Sequence, residues 1–384
     1  MYNFSYYSPT RVEFGADKEN QIGTYLKPFK VKKLLIVYAS ERVKENHTLA
    51  RIEQSLEQAG IAYVEFGGLE FNSDLTKVQA AVALAKKEQV DGVLAVGGST
   101  VLDYAKVIAL GAVNELDFMA YADSEEKQEP SQALPIFAVM TLTTKGSLMN
   151  NFALIAGGST TIKCTFTNEL IIPSLAIINP ALQATTPLHI LTRNAVVSIV
   201  MSLESYLTAD DHPQLTDNLV ETNIKAIMRT VEALHQDPTD LRAHSEYAWA
   251  NVLAGNGSTS FGIGDRSFPV IMLALALSEY QDLTLEQSLA ITLPAWMSWW
   301  KDYKTSQFER FALEFFSEES PEAAIELLCM WFEKFSYPTK LPELSEADFE
   351  KLIDCCTEYA HNWGLEEIYS RENIREIFLK GVKA

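Results

Sequence analysis

The sequence predicts an α/β domain built on a Rossmann-like, doubly wound parallel sheet over residues 1–182, followed by an all-α domain over residues 183–384. Three observations support this division. Short β-branched runs alternate with amphipathic stretches in the first half, strand-like alternation disappears after Pro180, and one apolar run ends in the pair Gly97-Gly98.

In chain order, Lys33–Tyr38 reads as a strand and Leu49–Ala59, after a polar loop, as a helix. Ala62–Phe66, Leu75–Gln89 and Gly92–Val96 continue the rhythm as strand, helix and strand. Pro135–Leu142 reads as another buried strand, and Ala176–Pro180 closes the half. Parallel sheets of this kind bind ligands at the carboxyl ends of their strands, so the loops after Tyr38, Phe66 and Val96 are where a nucleotide is expected. Beyond Pro180, helical spacing covers Leu188–Leu207, Asn218–His235, Leu241–Leu253, Phe268–Glu279, Leu285–Tyr303, Pro321–Phe335, Glu346–His361 and Arg371–Lys380.

Composition excludes several classes of function. The chain has 384 residues, 47% of them hydrophobic, which suits two ordinary cores. No apolar run reaches the ~20 residues of a membrane span, and the first fifteen residues lack the pattern of a signal peptide. The expectation is a soluble, cytoplasmic protein with no membrane partner. The four cysteines, Cys164, Cys329, Cys355 and Cys356, have no metal-site spacing and read as reduced thiols. A net charge of −20 argues against a nucleic-acid partner, which would demand clustered Lys and Arg. The acid is concentrated in residues 183–384, where runs such as Glu318-Glu319 and Glu366-Glu367 read as solvated helix surface.

Leu94–Lys106 joins a buried strand to a helix through Gly97, Gly98, Ser99 and Thr100. Amides in such a turn approach a phosphate closely, and the helix N-terminus favours the negative charge. Glycine also serves a tight turn for steric reasons alone, so the turn by itself leaves both readings open. Further motifs accompany it. Asn3-Phe4, Tyr7, Pro9-Thr10 and Phe14-Gly15 stand at the start, then Glu65–Glu70, Asp103 with Lys106, Thr141-Leu142, Gly146-Ser147, Met149-Asn150 and Ile178–Pro180. Leu203–Tyr206 and Gln287–Ala295 follow in the helical half.

In this order these motifs resemble the iron-containing alcohol dehydrogenases, most closely their butanol-dehydrogenase-like branch, nearly end to end. The resemblance implies the dehydroquinate synthase-like architecture of that family. It also implies NAD(P)-dependent hydride transfer between alcohols and aldehydes as small-molecule substrates, a homodimer, and a cleft between the domains for the dinucleotide and a catalytic divalent metal. The cofactor-binding residues it points to are Ala39, Ser40, Arg42, Lys44, Gly97, Gly98, Ser99, Thr100, Asp103, Thr141, Lys145 and Lys163.

The departures from the family are as informative. Its metal is held by one Asp and three His, with the Asp and first His four apart on one helix face. Counted back from Glu204 and Gln287, those positions are Val197, Met201, Ile271 and Leu285. The six histidines, at 47, 189, 212, 235, 244 and 361, leave none between Phe268 and Gln287, so no slip of register restores the later ligands. The expectation is a metal-free site refilled as packed core.

In the loop after Tyr38, Ala39 offers no acid against a 2′-phosphate, while Ser40, Arg42 and Lys44 offer donors, with Glu41 opposed; the expected dinucleotide is NADP(H) rather than NAD(H). Lys145 stands where relatives carry a hydroxyl. It is the candidate catalytic cation, with an outward, solvated lysine as the plainer alternative. Asn179 replaces the usual Asp before proline. Asp210-Asp211-His212 reads as a helix-capping turn, and Trp299-Trp300 and Phe315-Phe316 as helical core. Three functions stay open: an oxidoreductase working without a metal, a silent nucleotide-binding module, and a structural or regulatory partner.

Overall fold

The computed structural model describes residues 1–69, 75–115, 130–142, 147–156 and 163–383. Two compact units emerge. One comprises Tyr6–Pro187 with Ala233–Gly257, and the other comprises Met1–Ser5, Leu188–Glu232 and Ser258–Ala384.

The first unit is built on six parallel strands: β1 (Arg11–Phe14), β2 (Lys33–Tyr38), β3 (Ala62–Phe66), β4 (Gly92–Gly97), β5 (Ile136–Met140) and β8 (Leu175–Ile178). Their order across the sheet is β1-β8-β5-β4-β2-β3. A separate antiparallel pair joins β6 (Phe152–Ala156) to β7 (Lys163–Thr167). Each central strand is apolar on both faces because both are covered. Leu35, Val37, Val93, Ala95, Ala138 and Met140 share one core with residues of α2 (Leu75–Glu88) and α3 (Ser99–Gly111). Leu34, Ile36, Leu94, Val96, Phe137 and Val139 share the other with residues of α1 (Thr48–Gln58).

Asn179 fits its place for a reason of charge. Its Nδ2 donates to both oxygens of the fully buried Glu19 carboxylate, at 3.2 and 3.0 Å, and its Oδ1 caps the turn Pro180–Gln183 through the Ala181 amide. An aspartate there would bring a second negative charge against Glu19.

The second unit contains α4 (Leu188–Thr208), most of α5 (Gln214–Gln236), α7 (Pro269–Gln281), α8 (Leu285–Trp300), α9 (Thr305–Phe311), α10 (Pro321–Lys334), α11 (Glu346–Asn362) and α12 (Arg371–Lys383). Trp299 and Trp300 are buried there, in stacked contact at 5.8 Å. Phe315 and Phe316 are only half-buried. Among the described residues no helix is long and apolar enough to cross a membrane.

The structure differs from the sequence expectation in four ways. Residues 233–257, the end of α5 and all of α6 (Leu241–Leu253), group with the α/β unit, because Ala248 and Val252 are buried in the same apolar cluster as Tyr104 and Ile108. Residues 1–5 group with the helices instead. β1, the β6/β7 pair and α9 form without having been anticipated. Finally, the Asp210 and Asp211 side chains accept from loop amides rather than cap a helix. Asp210 accepts from the Asp265 amide at 3.1 Å and Asp211 from the His212 amide at 2.9 Å.

Candidate functional site

The chain runs from β2 to the edge strand β3, then crosses back to place β4 on the other side of β2. This reversal makes the carboxyl ends of β2 and β4 the switch point of the sheet, where doubly wound folds leave a crevice. The loop after β2, with Ala39 and Ser40, and the turn at Gly98 with the first residues of α3, Ser99 and Thr100, open there, and all five are among the expected cofactor residues.

The two glycines of the turn differ in their reason for being there. A Cβ at Gly97 would lie 2.7 Å from Val101 Cγ2 and 3.0 Å from its Cβ, so close packing of strand and helix demands glycine. At Gly98 the nearest atom to such a Cβ is that of Leu142 at 3.6 Å, an ordinary contact, and φ is −93°. Packing therefore gives no reason for Gly98, which leaves clear the approach to the first turn of α3. Gly98 is the N-cap and has no side chain to satisfy the amides of Ser99, Thr100 and Val101. Ser99 and Thr100 are half-buried, and Thr141, also half-buried, extends β5 by donating its amide to Gly97 O at 2.9 Å.

Beneath the turn lies a polar network that sequence reading only touched. Asp103 and Lys106, three apart on α3, share one face of an otherwise apolar helix. Lys106 is fully buried, and its Nζ donates to Asn150 Oδ1 at 2.7 Å, Asn150 O at 3.1 Å and Phe152 O at 2.7 Å. Asp103 accepts from Ser147 Oγ at 2.9 Å and from the Leu154 amide at 3.4 Å. Burial pushes the Lys106 ammonium down to about 8, against the pull of the Asp103 charge. Together the two side chains pin residues 147–154 to the helix whose first turn faces the crevice. The signal for Lys106 was a charged pair on a hydrophobic helix.

The loop after β2 puts its cations to other uses. Arg42 donates to Thr185, through Nη2 to its carbonyl and, at 2.8 Å, to its Oγ1. Lys44 lies 3.4 Å from both Glu41 and Glu65, with its ammonium 5.0 Å from the centre of the Tyr38 ring. Tyr38 and then Glu65 hold that ammonium above its ordinary range. Tyr38 Oη donates to Glu65 at 3.0 Å, so Glu65 and Tyr38 belong to this corner although neither was among the expected cofactor residues. Ala39 is half-buried and Ser40 exposed. Lys145 lies outside the described residues. Lys163 opens β7 opposite Ala156, and its side chain also lies outside the described residues.

In the helical unit, Val197 and Met201 lie one turn apart on α4, Ile271 in the first turn of α7, and Leu285 at the start of α8. Val197 is buried, but Met201, Ile271 and Leu285 are half-buried. The expected refilling as packed core is thus corrected: three of the four side chains keep part of their surface open, Ile271 and Leu285 in the first turns of their helices. Glu204, fully buried, accepts the amides of Val270 and, at 3.2 Å, Ile271. Burial holds its carboxyl well above the usual carboxylate range, against those two donors. Among the described residues no group of three or more His, Cys, Asp or Glu is placed to hold a metal. Three hydrocarbons and a thioether do not fit a hard or borderline divalent ion.

Residues 9–180 match the family model for iron-containing alcohol dehydrogenases, and residues 195–382 match the model for the C-terminal part of that family. NADH-dependent butanol dehydrogenase B of Clostridium acetobutylicum is 30% identical over 299 residues, which are 78% of this chain and 76% of that protein. The chain belongs to the iron-containing alcohol dehydrogenase family. The crystal structure of NADH-dependent butanol dehydrogenase A from Thermotoga maritima superposes with a TM-score of 0.89 at 31% identity, covering 100% of this chain and 99% of that one. NADPH-dependent aldehyde reductase YqhD of Escherichia coli is 28% identical over 355 residues, 89% of each chain. By these relatives the chain is alcohol and aldehyde dehydrogenase-like.

Proposed function

We propose that this family member binds a nicotinamide dinucleotide at the β2/β4 switch point but lacks metal-dependent hydride transfer, leaving turnover of simple alcohols and aldehydes weak or absent. The observation that carries the reading is the replacement of ligand positions by Val197, Met201, Ile271 and Leu285. Nucleotide binding is supported by Gly98, which packing does not require, and by the uncapped first turn of α3. The same resemblance supports a cytoplasmic homodimer acting on an unidentified small molecule.

Without a Lewis acid an alcohol keeps a pKa far above neutral, and oxidation has no route to the developing alkoxide. Such polarisation contributes on the order of several kcal/mol, and each ~1.4 kcal/mol is tenfold in rate. Lys145 is the substitute the sequence offers, a cation that would stabilise charge developing on a carbonyl oxygen. Any residual aldehyde reduction should therefore vanish in Lys145→Ala. Butanal reduction that needs no metal and survives this substitution would overturn that role.

For the dinucleotide we propose NADP(H) over NAD(H) by a factor below about tenfold. Exposed ion pairs such as Lys44 with Glu41 and Glu65 contribute little. A 2′-phosphate could draw Lys44 and Arg42 away, while the two acids keep the margin small. Titration of both dinucleotides should show Arg42→Ala weakening NADP(H) selectively. An equal loss for both would remove Arg42 from the site, and no binding of either at millimolar concentration would favour a structural or regulatory partner instead.

A further inference from the structure

A divalent ion held at positions 197, 201, 271 and 285 would tie α4 to the starts of α7 and α8. The apolar side chains now present attract without direction and leave three of the four partly open. Two ties made of protein groups flank them. Glu204, three residues beyond Met201, takes the amides of Val270 and Ile271 and so fixes α7. At the other end, Arg193 lies one turn before Val197 on α4 and shares its face. Its Nε donates to Glu286 Oε1 at 2.8 Å, and Glu286 directly follows Leu285.

We propose that the Arg193–Glu286 ion pair takes the place of a metal as the directional cross-link between α4 and the first turn of α8. The inference rests on the reading that the four positions hold no ion. Three observations favour a committed link over a casual surface pair. The Glu286 side chain is only 8% exposed, and a buried carboxylate is costly unless a cation faces it. Its second oxygen has no hydrogen-bond partner, so Arg193 supplies its principal compensation. The capping box of Thr284 and Gln287 at the α8 start is internal to that helix and makes no polar tie to α4.

Hydrogen exchange on the full-length protein tests this, read at the amides of residues 285–291 and 189–197 after chelation. Arg193→Met should speed exchange at both segments by about tenfold or more and lower the Tm by several degrees, with no recovery on adding Zn²⁺ or Fe²⁺. Exchanging the charges, Arg193→Glu with Glu286→Arg, should restore at least half of the lost protection. If Arg193→Met fails to fold, Arg193→Lys should show intermediate protection at the same amides. Unchanged exchange at 285–291 in a metal-free Arg193 variant would overturn the cross-link alone. A wild-type protein whose bound metal protects those amides until chelated would overturn the metal-free reading beneath it.

Discussion

At the scale of single residues, Gly97 and Gly98 carry opposite expectations although they are neighbours. Gly97→Ala forces a Cβ against Val101 and should destabilise the α/β unit by about 1–3 kcal/mol, measured by denaturant unfolding. Gly98→Ala should cost the fold no more than about 1 kcal/mol, the loss of a tolerated N-cap residue, and weaken dinucleotide binding at least tenfold, measured by titration. A Gly98→Ala protein that binds as tightly as wild type would separate this turn from any phosphate.

Lys106 gives a second residue-scale expectation, with a definite sign. Burial lowers its folded pKa to about 8 from the ordinary 10.5, so between these values the unfolded chain binds more protons than the folded one. Its contribution to stability therefore rises with pH through that window, and the cost of burying the charge is fully present below about pH 8. Over the whole window the gain is about 3 kcal/mol at ~1.4 kcal/mol per unit. Between pH 7.5 and 9.5 wild type should gain stability relative to Lys106→Met, whose own profile lacks this rise. Parallel profiles would show that the ammonium is held by its three oxygen acceptors at its ordinary pKa. Sequence reading singled out Gly97, Gly98, Val197, Met201, Ile271 and Leu285 from local motifs. It missed the engagement of Arg42 by Thr185 and of Lys44 by Glu65, contacts that only chain crossings bring together.

Among elements, the strands of the central sheet were legible because β2, β4 and β5 are apolar on both faces and lie between turn signals. β1 escaped notice because Arg11–Phe14 alternates charged and apolar residues over only four positions at a sheet edge. The eight long helices were legible from caps and period, while α9 hid in the run Thr305–Phe316, whose last turn winds as a π-helix and breaks the spacing. The contact that sets the start of α7 was not legible at all, since Glu204 lies more than sixty residues from the amides it accepts. It is testable. A carboxamide keeps an acceptor oxygen for the two amides, so Glu204→Gln should melt within about 2 °C of wild type. Glu204→Leu leaves two buried amides unanswered and should lower stability by about 2–4 kcal/mol. Equal melting of the two variants would mean that Glu204 does not organise this helix start.

For the whole molecule, family membership and the two-part architecture followed from motifs spread over nearly the full length, and the comparisons agree with both. The position of residues 233–257 did not follow, because α6 reads as one more amphipathic helix until its apolar face is seen in the core that also holds Tyr104. The proposed loss of metal-dependent chemistry is the central claim for this family member, and metal content with thermal melting tests it most directly. Protein purified without chelator should contain well under one iron or zinc per chain, and excess EDTA should leave its Tm unchanged. One metal per chain, removed by EDTA with a fall in Tm, would contradict the account.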